Sequence, residues 1–219
     1  MTPLRLFIGY DRRQPVAFQV AAHSAWQATS CPLAITRLDL TKLSLTKRGL
    51  TEFTFSRFLA PYLCDFHGIS IFLDSDVLVR GDLAELLAYP LMAPKTPVFV
   101  VKGAKKFEWA SVMVFNNPLC QALTPTHVEK PMLNPLAFQW AYQVGDLPKE
   151  WNHLVGYDAP NPHAKLLHYT QGIPVWPETQ GCEAAAEWHQ ALQDSNSTCS
   201  FQSLMGRSVH VAHMQNVST

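Results

Sequence analysis

The sequence predicts an α/β domain whose central sheet is largely parallel. Short apolar runs typical of buried strands alternate with segments of helical spacing along most of the 219 residues. Acidic residues lie just past the ends of two of these runs: Asp11 follows residues 4–9, and Asp74 follows residues 71–73. Ligands bind beyond the carboxyl ends of the strands in sheets of this kind. The sequence therefore predicts a ligand site at this edge of the sheet.

The strands are predicted from their apolar runs. Residues 34–40 alternate between apolar and polar side chains, as a half-buried strand does. The other runs are short and almost wholly apolar, which is typical of strands that are covered on both faces. The predicted strands cover residues 4–9, 34–40, 71–73, 98–101, 112–115 and 166–169.

The helices are predicted from spacing and from residues that favour their ends. Pro15 stands in the first turn of one helix, where proline is favoured, and Gly68 follows the end of a second helix rich in aromatic side chains. Asp82 is placed to cap a third. The predicted helices cover residues 15–28, 53–66, 83–87, 134–142 and 183–193, with residues 41–50 as a polar loop. These elements predict one domain over residues 1–194, and the polar, aperiodic residues 195–219 predict an appendage that is loosely ordered.

Composition excludes several classes of function. Seventeen basic residues balance seventeen acidic ones, so no net field draws the chain to nucleic acid or to a membrane surface. No apolar run is long enough for a transmembrane helix, and neither a dinucleotide-binding glycine motif nor a phosphate-binding loop is present. The five cysteines are scattered and include no Cys-x-x-Cys pair, which argues against zinc and disulfide frameworks. We therefore expect a reducing compartment, the cytoplasm.

The segment Ile71-Phe-Leu-Asp-Ser-Asp-Val-Leu-Val79 carries the most chemical information. It sets two carboxylates, Asp74 and Asp76, between two apolar runs, where ionised groups are rare unless they have a partner. A divalent cation, Mn²⁺ or Mg²⁺, that also binds phosphate oxygens is such a partner. The alternative interpretation is a turn in which Asp74 caps the following residues and Asp76 is solvated.

Four further segments extend this pattern. They are Phe7-Ile-Gly-Tyr-Asp11, Thr54-Phe-Ser-Arg-Phe-Leu59, Trp109-Ala-Ser-Val-Met-Val-Phe-Asn116, and the pair Leu147-Pro-Lys-Glu-Trp-Asn152 with Leu167-His-Tyr-Thr-Gln-Gly172. In this order, and with the Asp-x-Asp segment, they resemble glycosyltransferase family 8 and its bacterial relatives, which have the GT-A fold. The resemblance covers residues 4–193.

The resemblance implies a retaining transfer of a hexose from a nucleotide-diphosphate donor, usually UDP-linked, to a hydroxyl acceptor such as a glycan. It implies that Asp74 and Asp76 are the catalytic acidic pair and, with His168, the protein ligands of manganese. The implied donor-binding residues are Tyr10, Asp11, Arg57, Asp74 and Ser75. The implied acceptor-side residues are Trp109, Asn116, Trp151 and Asn152.

Each of these residues also has a structural interpretation. His168 lies between apolar neighbours and suits a hydrogen-bonded core position; Arg57 suits an ion pair with Glu52 or Asp65. Trp151 and Asn152 suit a structural turn with a buried indole, and Trp109 suits the core.

The chain also departs from the family pattern. Many members carry Gly-x-x-Lys-Pro-Trp after the histidine, with the lysine reaching the diphosphate. Here His168-Tyr-Thr-Gln-Gly-Ile-Pro-Val-Trp176 has no lysine, so we expect the positive charge to come from elsewhere, with Arg12, Arg13 and Lys102 as candidates. A binding module of the same fold without turnover therefore remains an alternative. A phosphatase of the haloacid dehalogenase type is a weaker one, because its Asp-x-Asp normally stands near the N-terminus and continues differently.

Overall fold

The computed structural model describes residues 2–103, 106–132 and 134–196. The strands in these ranges are β1 (Leu4–Gly9), β2 (Leu33–Leu38), β3 (Ile69–Leu73), β4 (Val77–Val79), β5 (Val98–Val100), β6 (Val112–Asn116), β7 (Val144–Asp146), β8 (His153–Leu154) and β9 (Leu166–His168). The α-helices are α1 (Pro15–Ala28), α2 (Ala60–Leu63), α3 (Ala88–Met92), α4 (Pro125–Glu129) and α5 (Ala185–Ser195), and short 3₁₀ turns fill much of the remainder.

Six strands form the central sheet in the order β2-β1-β3-β6-β5-β7. Strand β6 runs antiparallel to both of its neighbours, and the other pairs in the sheet are parallel. The predicted α/β class with a mostly parallel sheet is therefore confirmed. Because β6 is reversed, it begins where β3 ends: Val112 pairs with Leu73, and Asn116 pairs with Ile69.

A second sheet of three strands, in the order β4-β9-β8, continues from the end of β3. Strand β4 follows the Asp-x-Asp segment directly and pairs antiparallel with β9, so that Val77 lies opposite His168. Strand β8 pairs parallel with β9 on the other side, with Leu154 opposite His168. This small sheet carries residues from the C-terminal part of the chain to the edge of the main sheet.

Both faces of the main sheet are buried, as the apolar strand sequences predict. Successive side chains of a strand point to opposite faces. Phe7 and Phe72 pack in one cluster with the residues of the 50s, whereas Ile8 and Leu73 pack on the other face against α1. A third cluster joins α1 to α5 through the buried Trp188.

Two predicted helices are much shorter in the structure. Residues 53–66 form a 3₁₀ turn, Ser56–Leu59, followed by the single turn of α2. Pro61 has no amide hydrogen to give to Arg57, so a continuous α-helix cannot pass through it. Residues 134–142 hold only the 3₁₀ turn Pro135–Ala137, which ends at Phe138 with a φ of 55° in the left-handed region.

The C-terminal boundary is only partly described. Helix α5 covers Ala185–Ser195, and the domain boundary at residue 194 stays a prediction. The rest of the predicted appendage, residues 197–219, lies outside the described residues. Within the part of the chain that the structure describes, no helix combines the length and the apolar character needed to cross a membrane.

Gly9 is predicted to be intolerant of a side chain. A Cβ atom built on Gly9, at the end of β1, would lie 2.4 Å from Cγ of the buried Phe53. Gly9→Ala should therefore lower the free energy of unfolding by about 1–3 kcal/mol, the usual cost of overpacking a core. The measurement is urea unfolding followed by circular dichroism.

Gly181→Ala is the matched control for this substitution. A Cβ atom on Gly181 meets nothing within 4 Å, so this variant should stay within about 0.5 kcal/mol of the wild type. Equal stability of the two variants would contradict the packing of Phe53 on Gly9.

Candidate active site

The Asp-x-Asp segment lies at the point where the two sheets meet. Strand β3 is buried almost throughout, and the amide of Asp74 at its end donates a hydrogen bond to the carbonyl of Ser111, just before β6. Asp74 and Ser75 are buried, and Asp76 is half-buried before the chain enters β4. The antiparallel pairing of β3 with β6 thus fixes the backbone that carries both carboxylates.

His168 reaches the carboxylates through the register of β4 with β9. Its Nε2 lies 3.3 Å from Oδ1 of Asp76 and 3.9 Å from Oδ2 of Asp74. Its Nδ1 lies 2.9 Å from Oδ1 of Asn152, in the 3₁₀ turn Lys149–Asn152. Because an amide oxygen only accepts hydrogen bonds, this contact places a proton on Nδ1 and directs Nε2 towards the carboxylates.

Arg57 is the buried cationic partner of the pair. Its Nη1 lies 2.8 Å from Oδ1 of Asp74 and donates a hydrogen bond of 2.7 Å to the carbonyl of Ala110. The guanidinium also lies over the rings of Phe53 and Phe72. The alternative pairing of Arg57 with Glu52 or Asp65 is therefore wrong. Glu52 binds Arg12, and Asp65 is exposed.

The electrostatics of the cluster reflect its burial. Removal from water raises the pKa of Asp74 to about 6, against the opposing attraction of Arg57. Burial is the largest influence on Asp76 and acts to raise its pKa, but the charge and hydrogen bond of His168, a backbone hydrogen bond and the charge of Arg57 together lower the pKa below its usual value. Burial is the largest influence on His168 and acts to lower its pKa, but the carboxylates of Asp76 and Asp74 together raise it. The charges of the three groups therefore depend on one another.

The cluster has the donor set of a divalent-metal site. One ligand atom from each of Asp74, Asp76 and His168 lies within 4.8 Å of the other two. Oδ1 of Asp74 is buried and accepts no hydrogen bond, although the Arg57 charge is close. Two carboxylates with one imidazole suit Mn²⁺, which accepts nitrogen as well as oxygen, better than Mg²⁺, which prefers oxygen alone. The residues therefore fit the metal that the sequence predicts.

A cavity of about 820 Å³ opens over this cluster. Asp74, Asp76, His168 and Arg57 line it, so the structure brings the predicted metal ligands and the predicted basic residue to one wall. The other described lining residues are Leu50, Thr51, Thr54, Gly103, Glu108, Ser111, Leu136, Lys149, Leu154, Tyr157, Asp158 and Thr170.

Sequence analysis missed Glu108, Lys149 and Asp158 in this cavity. Glu108 precedes β6 and reaches the site only because that strand runs antiparallel to β3. Had the reversed direction been foreseen, the residues before β6 would have been placed beside Asp74. Asp158 lies in a loop with no local motif, and no sequence signal marks it.

Tyr10 and Asp11 lie at the same edge of the sheet but outside the described lining of the cavity. Asp11 is buried and pairs with Arg13 at 2.6 Å, and the hydrogen bond from Arg13 lowers the pKa of its carboxyl group. The ring of Tyr10 lies under the guanidinium of Arg37, 4.5 Å from its centroid. Arg13 also binds the carbonyl of Leu50, which lines the cavity, so this pair lies one loop away from it.

The predicted acceptor-side residues are dispersed. Asn116 pairs with Ile69 at the far end of β3 from Asp74, and its amide donates to the carbonyl of Pro94. The structure thus does not bring Asn116 to the cavity, because β6 is antiparallel and its last residue lies furthest from the site. Trp151 is in the core, only 1% exposed, as its structural interpretation expects.

The other two residues of this set support the site indirectly. Trp109 packs on Phe138 and donates from Nε1 to the carbonyl of Gly103, a lining residue. Asn152 is buried and holds His168.

Two of the three cations proposed to replace the missing lysine are paired away from the cavity. Arg12 binds Glu52, and Arg13 binds Asp11. Lys102 lies 3.0 Å from Asp146, at the edge strand β7.

Comparison with known proteins places this geometry in a family. Protein CDI of Arabidopsis thaliana is 33% identical over 227 residues, which cover 89% of this chain and 88% of CDI. The chain belongs to the CDI family. No protein-family model matches this chain.

Solved structures similar to this CDI-family chain are glycosyltransferases. WbbM, a bifunctional glycosyltransferase, matches over 89% of this chain with a TM-score of 0.67 and 15% identity. GlyE of Streptococcus pneumoniae TIGR4 matches over 88% with a TM-score of 0.63 and 19% identity. LgtC matches over 91% with a TM-score of 0.60 and 12% identity. Likeness at these identities shows the fold, and the predicted GT-A fold is confirmed.

The share of each solved chain that this chain covers varies. It spans 50% of the WbbM chain and 60% of the GlyE chain, but 99% of the LgtC chain.

Asn152 is predicted to control metal affinity through His168. Asn152→Ala removes the acceptor that fixes Nδ1, and the imidazole then loses its orientation. Manganese affinity should fall by about 10-fold to 100-fold, the usual effect of removing a group that orients a metal ligand. Isothermal titration calorimetry with Mn²⁺ measures this affinity. The variant His168→Ala shows how much affinity is lost when the histidine ligand is removed altogether.

Asn161→Ala is the matched control, because Asn161 caps a loop through the amide of His163 and does not line the cavity. If Asn152→Ala and His168→Ala fold normally and bind Mn²⁺ as the wild type does, His168 is a core residue.

Proposed function

We propose that this chain is a metal-dependent retaining glycosyltransferase. It moves a hexose from a nucleotide-diphosphate sugar, UDP-linked, to a hydroxyl acceptor such as a glycan. The observation that carries the proposal is the buried cluster of Asp74, Asp76 and His168, which opens into a cavity of about 820 Å³ in a GT-A fold.

The cluster suits the binding of a diphosphate through a cation. Asp74, Asp76 and His168 would hold Mn²⁺, and the bound metal would neutralise the negative charge that develops on the UDP leaving group. Arg57 keeps Asp74 ionised inside the protein, so that its carboxylate is available as a ligand at neutral pH. Ser75 stands between the two carboxylates in the sequence; it is buried and outside the described lining of the cavity, and we assign it to the donor side by its place in the motif.

The nucleoside would bind at the end of β1, next to β3. Tyr10 and Asp11 stand at that end, and we assign them to the uracil and the ribose. LgtC has been solved as a galactosyltransferase with donor and acceptor sugar analogues, and the shared fold supports a donor in the same general place.

The acceptor would enter the same cavity as the donor. Leu50, Leu136 and Tyr157 also line this cavity, and we assign them to the acceptor side. Trp109 supports this side through the carbonyl of Gly103, Asn152 acts through His168, and Trp151 is buried in the core. A reducing, cytoplasmic location suits the four described cysteines, all of which are free thiols.

A binding module without turnover is the second candidate. It is favoured by the run from His168 to Trp176, which offers no cation to the donor. This alternative predicts tight, metal-dependent UDP binding without hydrolysis or transfer. The phosphatase alternative loses its support, because the fold is that of the glycosyltransferases.

UDP binding is predicted to require a divalent ion and the carboxylate of Asp76. Asp76→Asn keeps the shape of the side chain but removes a charged ligand. The affinity for UDP in the presence of Mn²⁺ should fall more than about 100-fold, beyond the effect of losing an outer-shell group. Calorimetric titration of UDP with Mn²⁺ or EDTA measures both requirements.

Asp65→Asn is the control for this experiment, since the Asp65 side chain is 95% exposed and lies away from the cavity. A folded Asp76→Asn protein with the UDP affinity of the wild type would rule out the metal site.

The product is predicted to keep the anomeric configuration of the donor. With UDP-glucose or UDP-galactose and a suitable acceptor, the new linkage should be α, and proton NMR of the fresh product identifies it. We propose attack on the face that UDP leaves, with a donor phosphate oxygen taking the acceptor proton. A β linkage would remove the chain from the retaining class.

Glu108 allows the route of retention to be tested as well. The sequence suggests no carboxylate beyond the metal pair, but Glu108 and Asp158 also line the cavity. Asp158 is held by Lys149, whereas Glu108 is a possible nucleophile for a double displacement. Glu108→Gln should keep kcat within about 10-fold; loss of a true nucleophile costs more than about 10⁴-fold.

A further inference from the structure

The described lining of the cavity contains two permanently charged cations, Arg57 and Lys149. Arg57 is buried, lies 2.8 Å from Oδ1 of Asp74 and donates to the carbonyl of Ala110. Its charge is used to balance Asp74, and its side chain has no freedom to turn towards a ligand. Of these two residues, Lys149 is therefore the one that a ligand can reach.

The 3₁₀ turn Lys149–Asn152 orients this lysine. Residues three apart in a 3₁₀ helix lie on the same side of it. Asn152, three residues after Lys149, points at His168 and binds its Nδ1. Lys149 thus leaves the turn on the side that faces the metal-binding cluster, in agreement with its place in the lining of the cavity.

Asp158 holds the ammonium group of Lys149 in place and occupies only one of its hydrogen-bond donors. Nζ of Lys149 lies 2.8 Å from Oδ2 of Asp158, and that oxygen also accepts the amide hydrogen of Leu154. An ammonium group has three donors, so two remain for a ligand after this contact. The Lys149 side chain is 51% exposed, which leaves these donors open to the cavity.

The balance of charge in the cluster favours a further cation beside the diphosphate. A divalent ion and Arg57 together exceed the two carboxylates by one positive charge, and the diphosphate of a nucleotide sugar brings two negative charges. Charge-assisted hydrogen bonds to phosphate oxygens are the strong ones. An anchored lysine beside the cluster can supply them.

We propose that Lys149, positioned by Asp158, is the residue that binds the diphosphate of the nucleotide donor in this chain. This inference rests on the proposed function and deepens it. It assigns the role to a lysine about twenty residues before His168, on the turn that also positions the histidine, and not to Arg12, Arg13 or Lys102. It also gives Asp158 a positioning role.

The test compares UDP with uridine in the presence of Mn²⁺. Calorimetric titration gives both affinities for the wild type, for Lys149→Met and for Lys149→Arg. Lys149→Met should weaken UDP binding by about 10-fold to 100-fold, the loss of a hydrogen bond to a charged group, and change uridine binding by less than about 2-fold. Lys149→Arg should restore most of the UDP affinity, because it keeps the charge.

The ratio of the two affinities, measured on one preparation, does not depend on the fraction of folded protein. Lys102→Met is the matched control and should leave the ratio unchanged, since Lys102 is not among the described residues that line the cavity. An unchanged ratio in Lys149→Met, or a loss in Lys102→Met instead, would overturn the assignment of Lys149. A wild type that binds no UDP with Mn²⁺ would refute the proposed function itself, and the assignment with it.

Discussion

The buried ion pair of Arg57 with Asp74 is the interaction on which the candidate site depends. Placing a carboxylate at the end of a strand that is buried on both faces is unfavourable unless a cation accompanies it. Arg57 supplies that cation from a 3₁₀ turn on one side of the sheet, and the carbonyl of Ala110 fixes its guanidinium. The second carboxylate, Asp76, and His168 lie beside this pair.

The pair also connects three parts of the chain that are distant in sequence. Arg57 comes from the segment before β3, Asp74 from its end, and Ala110 from the residues before β6. The small second sheet then adds a fourth part, because the pairing of β4 with β9 sets His168 beside Asp76. The site is therefore an outcome of strand pairing, and each ligand is held by backbone that is itself hydrogen-bonded.

The turn Lys149–Asn152 gives the site its second layer. Asn152 fixes the tautomer of His168, and Lys149 faces the cavity from the same turn. Trp151, between them, is buried in the core and anchors the turn to the main sheet. A tryptophan that was a candidate for ligand contact thus acts as the anchor of residues that face the ligand.

The sequence by itself determined the α/β class, the buried strands and the Asp-x-Asp site at the end of β3. These follow from local patterns, namely apolar runs of strand length and two carboxylates that apolar neighbours make costly without a partner. The order of the motifs also singled out Arg57 and His168, which the structure brings to the same cluster.

Only the tertiary structure decided the direction of β6, and with it the place of Asn116 and Glu108. A strand's sequence has the same alternation in either direction, so its pattern cannot tell which end faces the site. Lys149 lies within the segment 147–152 and Asp158 in a loop without a motif, and their place beside His168 depends on how β8 and β9 pair. The chemical type of each residue follows from the local sequence. The distances between residues are set by strand pairings between distant parts of the chain.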